Sequence, residues 1–263
     1  MKNAIAIAAH PDDIELTMAG TLLLLKKAGY EIHYINLSGG DCGSMEYAAS
    51  DLKKIRLAEA KNAAQILGAH FHPPFCNDME ILYDVKKLRR LTSIIREIKP
   101  NIVLTHSPED YMEDHTNTCR LAVSASFVRG MRNFESEPVL PVDNYDCTIY
   151  HALPHTLRDN FRRRIIPGAY VNTTSVHPIK LEALRSHKSQ QKWLGVSQKM
   201  NSYLQSMEDT SIKVGEMSKV FKHAEGWRRH LHFGFCAAED DPLKDLGDDY
   251  LINKNYEESL EMM

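Results

Sequence analysis

The 263-residue chain has no cysteine pair: Cys42, Cys76, Cys119, Cys147 and Cys236 are scattered singly, without a C-x-x-C. An odd, dispersed set argues against a disulfide framework and against a cysteine zinc site. There is also no long apolar run. The few apolar residues before His10 are too short for a signal segment, and nothing later reaches transmembrane length. The expectation is a cytoplasmic protein with no membrane insertion. A net charge of -3 gives no electrostatic case for nucleic acid or an anionic surface, and the aromatics are not interleaved with basic runs. No G-x-G-x-x-G follows the first apolar run, which counts against a nucleotide-binding Rossmann protein. With no internal repeat and no low-complexity linker, a single domain over 1–263 is the simpler organisation. Residues 1–133 are its better-patterned part, and from about 238 to 263 runs an acidic tail expected to be peripheral.

What is present is concentrated in two polar turns. Ala4-Ile5-Ala6-Ile7 reads as a short buried strand and Leu16 to Lys27 as a packed helix. Between them lies His10-Pro11-Asp12-Asp13. In an open parallel α/β sheet such a turn sits at the carboxyl end of the strands, where these folds bind ligands. His10 and Asp13 can point at one centre, and imidazole with carboxylate is ordinary zinc chemistry. Asp12 is then free beside the metal, where hydrolysis needs a base. The arrangement recurs further on. Asn101 to Thr105 is a buried-strand candidate that runs into His106-Ser107-Pro108-Glu109-Asp110-Tyr111-Met112-Glu113-Asp114-His115, and Thr116 to Val128 is helical again. Two strand ends of a parallel sheet can lie side by side, so His115 could join His10 and Asp13. Three protein ligands leave a fourth position for water, the mark of a catalytic site.

The remaining pattern is βαβ-like. Glu31 to Ser38 reads as a strand, followed by a glycine-rich loop, Ser38 to Ser44, either a flexible turn or backbone amides offered to a polar ligand. Asp51 to Gly68 reads as a helix with Arg56 and Glu59 spaced i,i+3; spacing alone favours a solvated bridge for that pair. Ala69 to Phe75 holds a short strand, and Asp84 caps a helix through Ile98. Strands are expected at Asp146 to Leu153 and Ala169 to Thr173. Helices are expected at Pro178 to Gln191 and Ile212 to His232, the latter ending in His223, Trp227, His230 and His232.

These residues resemble the LmbE/PIG-L family of zinc-dependent de-N-acetylases, from the first strand to about Gln190. His10-Pro11-Asp12-Asp13 matches the family's defining turn. The loop at Gly40 and Gly43 is similar to its second loop, with Asp41 where Glu is usual. Arg56 and Glu59 match its R-x-x-E helix, His187-Lys188-Ser189-Gln190 its H-x-S-Q helix, and Ala224-Glu225-Gly226-Trp227 a variant of its late Tyr-Ala-Glu-Ala-Phe segment. The resemblance implies a Rossmann-like three-layer α/β sandwich with a mostly parallel sheet, a Zn2+ held by His10, Asp13 and His115, and Asp12 as general base. It implies Arg56, with Asp41 and His187, on the substrate side. The substrate implied is a small N-acetylglucosamine-type sugar or glycoconjugate, and the assembly implied is a homo-oligomer, a trimer or hexamer.

One position departs from the family. Its second motif is commonly H-P-D-H, whereas here Met112-Glu113-Asp114-His115 keeps only the ligand His. Methionine neither transfers a proton nor donates a hydrogen bond. His106 is the first candidate to take over that work, with His187, or His223 or His230 from a neighbouring subunit, behind it. Met112 also leaves open a catalytically impaired metal- or carbohydrate-binding relative. An amidohydrolase acting on a non-sugar N-acyl substrate is a third reading.

Overall fold

Every residue of the strand Ala4–Ala8 is fully buried, although the strand shows no polar alternation. The reason is that it is covered on both faces. Ala4, Ala6 and Ala8 pack against one layer of helices, and Ile5 and Ile7 against another. This strand, β1 (Asn3–Ala8), sits inside an eight-stranded sheet with β2 (Glu31–Asn36), β3 (His70–His72), β4 (Ile102–Thr105), β5 (Thr148–Ala152), β6 (Ala169–Asn172), β7 (Ala224–Arg229) and β8 (Tyr250–Ile252). The computed structural model describes residues 2–197 and 203–262.

The strand order is β3-β2-β1-β4-β5-β7-β6-β8. The first five strands in this order run parallel, and β7, β6 and β8 follow in succession, each antiparallel to the strand before it. One layer holds α1 (Asp13–Thr17), α2 (Ala19–Lys27) and α3 (Ala49–Leu67); the other holds α4 (Val85–Ile98) and α5 (Glu113–Phe127). The fold is the expected α/β three-layer sandwich. Chain order reverses between β1 and β4, so the turns that follow these two strands open side by side, at the switch point where such sheets take ligands.

Local signals place most elements within a residue or two. The Asp84 side chain accepts the Lys87 amide at the start of α4, and Gly68, with φ 66°, ends α3. Four expectations need correction. The single helix from Leu16 to Lys27 is two, α1 and α2, broken at Met18. Pro178 to Gln191 is α6 (His177–Arg185) followed by α7 (Lys188–Ser197). Ile212 to His232 is not one helix: α8 (Tyr203–Ser218) stops before Lys219, whose φ is 63°, and β7 follows. The sheet draws that segment in because the Glu225 carboxylate accepts from the Gly20 and Thr21 amides, the Thr21 hydroxyl and Lys180 Nζ. Lastly, the acidic tail is built into the sheet. Leu243 is fully buried, Asp241 accepts the Tyr150 hydroxyl at 2.7 Å, and β8 pairs with β6 before the terminal helix α9 (Lys254–Glu261). Among the described residues no helix is long and apolar enough to cross a membrane.

Candidate active site

The turn after β1 and the run after β4 meet at Asp13. Its backbone-side oxygen, Oδ2, accepts the His10 amide at 2.7 Å and lies 3.3 Å from His10 Nδ1; its Oδ1 lies 3.3 Å from His115 Nε2. His10, Asp13 and His115 are all buried, and their donor atoms lie within 4.8 Å of one another. Each imidazole is held from behind by a carboxylate. His10 Nε2 is 3.0 Å from Asp114 Oδ2, and His115 Nδ1 is 3.0 Å from Asp110 Oδ1. A carboxylate on the far nitrogen is what orients a metal-ligating histidine. His115 Nε2 is left buried without a hydrogen-bond partner, which a bound cation would supply.

Electrostatics point the same way. Burial alone would lower the two imidazoles, but Asp114 and Asp13 lift His10 to about 9, and Asp13 and Asp110 lift His115 to about 10. Asp13 opposes its own burial through His115 and His10 and is held well below the ordinary carboxylate range. The cluster therefore favours positive charge at its centre. The donor set of two nitrogens and a carboxylate fits a borderline divalent ion.

Asp12 stands beside this cluster with φ 109°, a conformation that strains a residue with a side chain and that the fold retains at this position. Burial raises its pKa, against the opposing charge of Arg56, whose Nη2 is 3.6 Å away. Arg56 also donates to the Pro11 carbonyl at 2.5 Å and packs over Gly40, where φ is 75° and a Cβ would fall 2.6 Å from the guanidinium carbon. The Tyr203 hydroxyl, at the start of α8, donates to Asp12 Oδ2 at 2.7 Å. Burial and that carboxylate push the phenol well up, so it remains a donor.

A cavity of about 250 Å³ opens over these groups, and Arg56, His106, Met112, Tyr111, His155, Gln190 and Tyr203 help to line it. His106 is brought close, but its Nε2 accepts the Ala9 amide at 2.9 Å, so the 3.4 Å approach of the same nitrogen to Asp13 is a contact and not a second hydrogen bond. Its ring stacks on His115, 4.1 Å between centroids. Two other expected substrate groups stand away from the cavity wall. Asp41 braces the glycine-rich loop by accepting the Asp78 amide at 2.8 Å, while Cys42 and Gly43 of that loop line the cavity. His187 is fully buried, 3.4 Å from Glu15. Glu59 makes no solvated bridge to Arg56. It accepts the Ser189 amide and hydroxyl at 2.9 and 2.6 Å, tying α3 to α7. Of the late histidines, His230 meets His151, which donates to the His106 carbonyl, whereas His223 lies against His177.

Asp110, Asp114, Tyr203 and His155 are the groups that sequence reasoning did not single out. The two aspartates lay within the polar run and could be found by asking what backs each histidine expected to be a ligand. Tyr203 and His155 have no local signal.

Residues 5–126 match the PIG-L family, described as GlcNAc-PI de-N-acetylase. Diacetylchitobiose deacetylase of Thermococcus kodakarensis is 29% identical over 198 residues, 72% of this chain and 70% of the relative. The 4-oxalmesaconate hydratase of Pseudomonas putida is 28% identical over 199 residues, 72% of this chain and 74% of the relative. The solved structure of the 4-carboxy-2-hydroxymuconate hydratase from Pseudomonas putida superposes with a TM-score of 0.75 at 24% identity, covering 92% of this chain and 99% of that one.

Proposed function

The chain belongs to the PIG-L (LmbE-like) family, and from that premise we propose that it is a zinc-dependent N-deacetylase acting on an N-acetylglucosamine-type sugar. The observation that carries the reading is the convergence of two chain-distant turns on Asp13, with His115 Nε2 buried and unpartnered. His10, Asp13 and His115 are the residues that would hold the ion. Zinc at such a site supplies Lewis acidity and lowers the pKa of water.

The chain's own groups do the rest. Asp12, its pKa raised by burial, takes a proton from the attacking water, and Tyr203 and Arg56 hold its carboxylate in place. Arg56, on the cavity wall, faces the sugar. Met112 leaves the leaving nitrogen without the family's usual donor. His106 has its Nε2 engaged by Ala9 and serves by stacking on His115. The proton that Asp12 takes up is the one the leaving amine needs, and His155, on the cavity wall with Ser206 2.9 Å from its Nε2 and kept neutral by burial, accepts it and passes it to the amine. The products are acetate and a free amino sugar.

The hydratase relatives raise a second reading, water addition to an unsaturated acid. The charge of the cavity argues against it. His10, Asp12, Asp13, Asp78 and Asp110 line the site, and Arg56 is the single Arg or Lys among its described lining residues. A substrate bearing several carboxylates would find one cationic side chain to pair with besides the ion, whereas a neutral acetamido sugar needs no such pairing.

The test is acetate release from N-acetylglucosamine and diacetylchitobiose by the zinc-loaded protein. Asp12→Ala should lose about 10²- to 10⁴-fold in rate while still binding zinc. Near-normal turnover in that variant would remove Asp12 as the base. Hydration of an unsaturated dicarboxylic acid without any acetate release would replace the deacetylase reading altogether.

A further inference from the structure

A second cluster, which the proposed reaction does not use, gathers at α8. His177 opens α6, His223 immediately precedes β7, and Glu208 lies on α8 five residues beyond Tyr203 and two beyond Ser206. His177 Nε2 is 3.9 Å from one Glu208 carboxylate oxygen and His223 Nε2 is 3.8 Å from the other. The two imidazole rings stack, 4.0 Å between centroids and 11° from parallel. His177 is 6% and His223 5% exposed. All four of their ring nitrogens are buried without a hydrogen-bond partner.

We propose that His177, Glu208 and His223 form a second divalent-metal site, of the zinc class, that clips α8 to α6 and to β7. Three features carry this. First, two adjacent buried imidazoles with no partner at any nitrogen are a costly arrangement, because each buried polar atom has given up water without a replacement. Second, the nitrogen–oxygen separations are too long for hydrogen bonds, which end near 3.5 Å. They are close to the spacing of about 3.4 Å between neighbouring ligands of a tetrahedral ion with bonds of 2.0–2.2 Å. Third, two imidazole nitrogens and one carboxylate select a borderline transition ion over calcium or magnesium.

The surroundings are compatible with a bound cation. Lys180, the nearest cationic side chain on α6, is already paired with Glu225 at 2.7 Å, and Lys222 beside His223 is exposed. Burial, with each histidine's cationic neighbours, keeps both imidazoles below their ordinary value, so their lone pairs are free at neutral pH. The Glu208 side chain is 36% exposed, which leaves an entry path and room for water as a further ligand. Near-parallel rings must open by a modest side-chain rotation for both lone pairs to converge on one ion. The clip bears on the first site through α8, since Tyr203 and Ser206 on its first turn meet Asp12 and His155.

The experiment is titration of the chelator-stripped full-length protein with Co2+, followed by visible absorption and calorimetry. Wild type should take up two equivalents. Asp13→Asn should lose one, and Glu208→Gln and His223→Gln should each lose the other. Glu208 is partly exposed, so Glu208→Gln remains informative if His223→Gln does not fold. Wild-type stoichiometry in folded Glu208→Gln, or a single wild-type equivalent abolished by Asp13→Asn, overturns the proposal. Deacetylation is not the readout, so a protein that binds two ions but releases no acetate would count against the proposed function alone.

Discussion

At the residue scale the site is organised by carboxylates with different tasks. Asp13 lies between the His10 and His115 imidazoles, Asp110 and Asp114 hold those rings from behind, and burial raises the pKa of Asp12. The raised values of His10 and His115, about 9 and about 10, have a measurable consequence. In metal-free protein at about pH 7.5 both rings carry a proton, because each folded value lies above the solution pH. Ligation needs neutral imidazole, so zinc uptake there should release about two protons, falling toward none as the pH passes the higher value. Calorimetry in buffers of different ionisation enthalpy reads this number. Asp110→Ala removes one of the groups that lift His115, so release should drop and affinity should weaken about 10- to 100-fold. Unchanged release in that variant would mean that Asp110 does not support His115.

At the element scale, the helices reach the site because buried polar contacts set their ends. The Glu225 carboxylate on β7 takes the first amides of α2 and the Lys180 ammonium of α6, all within 2.8 Å and almost fully buried. Such a charge is tolerated only while its partner remains. Lys180→Met leaves Glu225 without its counter-ion and should lower stability by about 3–5 kcal/mol, read from urea unfolding. A loss below about 1 kcal/mol would show that the amides alone satisfy Glu225. The same contact explains why the periodicity of Ile212 to His232 misled. Hydrophobic spacing cannot distinguish a helix from a short apolar strand whose charged residue is neutralised by distant partners.

At the scale of the whole molecule, the residues that would hold the ion come from the turn after β1, the start of α1 and the first turn of α5, so an ion bound there would tie together segments more than 100 residues apart in the chain. Ligand binding to the folded state alone adds about 4 kcal/mol at a thousandfold excess over Kd. Calorimetric unfolding of Glu208→Gln, which isolates the first site, should therefore shift to higher temperature with zinc and back with chelator. Identical Tm values in both conditions would argue that His10, Asp13 and His115 bind no ion.

What the chain by itself determined is what lies close in sequence: the buried strands, the two polar turns, the caps at Asp84 and Gly68, and His10, Asp12 and Asp13 on one tight turn. These follow from periodicity, backbone conformation and short-range sterics, which act within a few residues. The tertiary structure alone decided which turns meet. Strand order places β4 beside β1, and only then does Asp114 acquire His10 to hold and His115 meet Asp13. It also brings Tyr203 to Asp12 across 191 residues, sets Ser206 against His155, and faces Glu208 with two stacked imidazoles. Burial and close approach create those charge states and unmet nitrogens, and neither is a property of any stretch of chain taken alone.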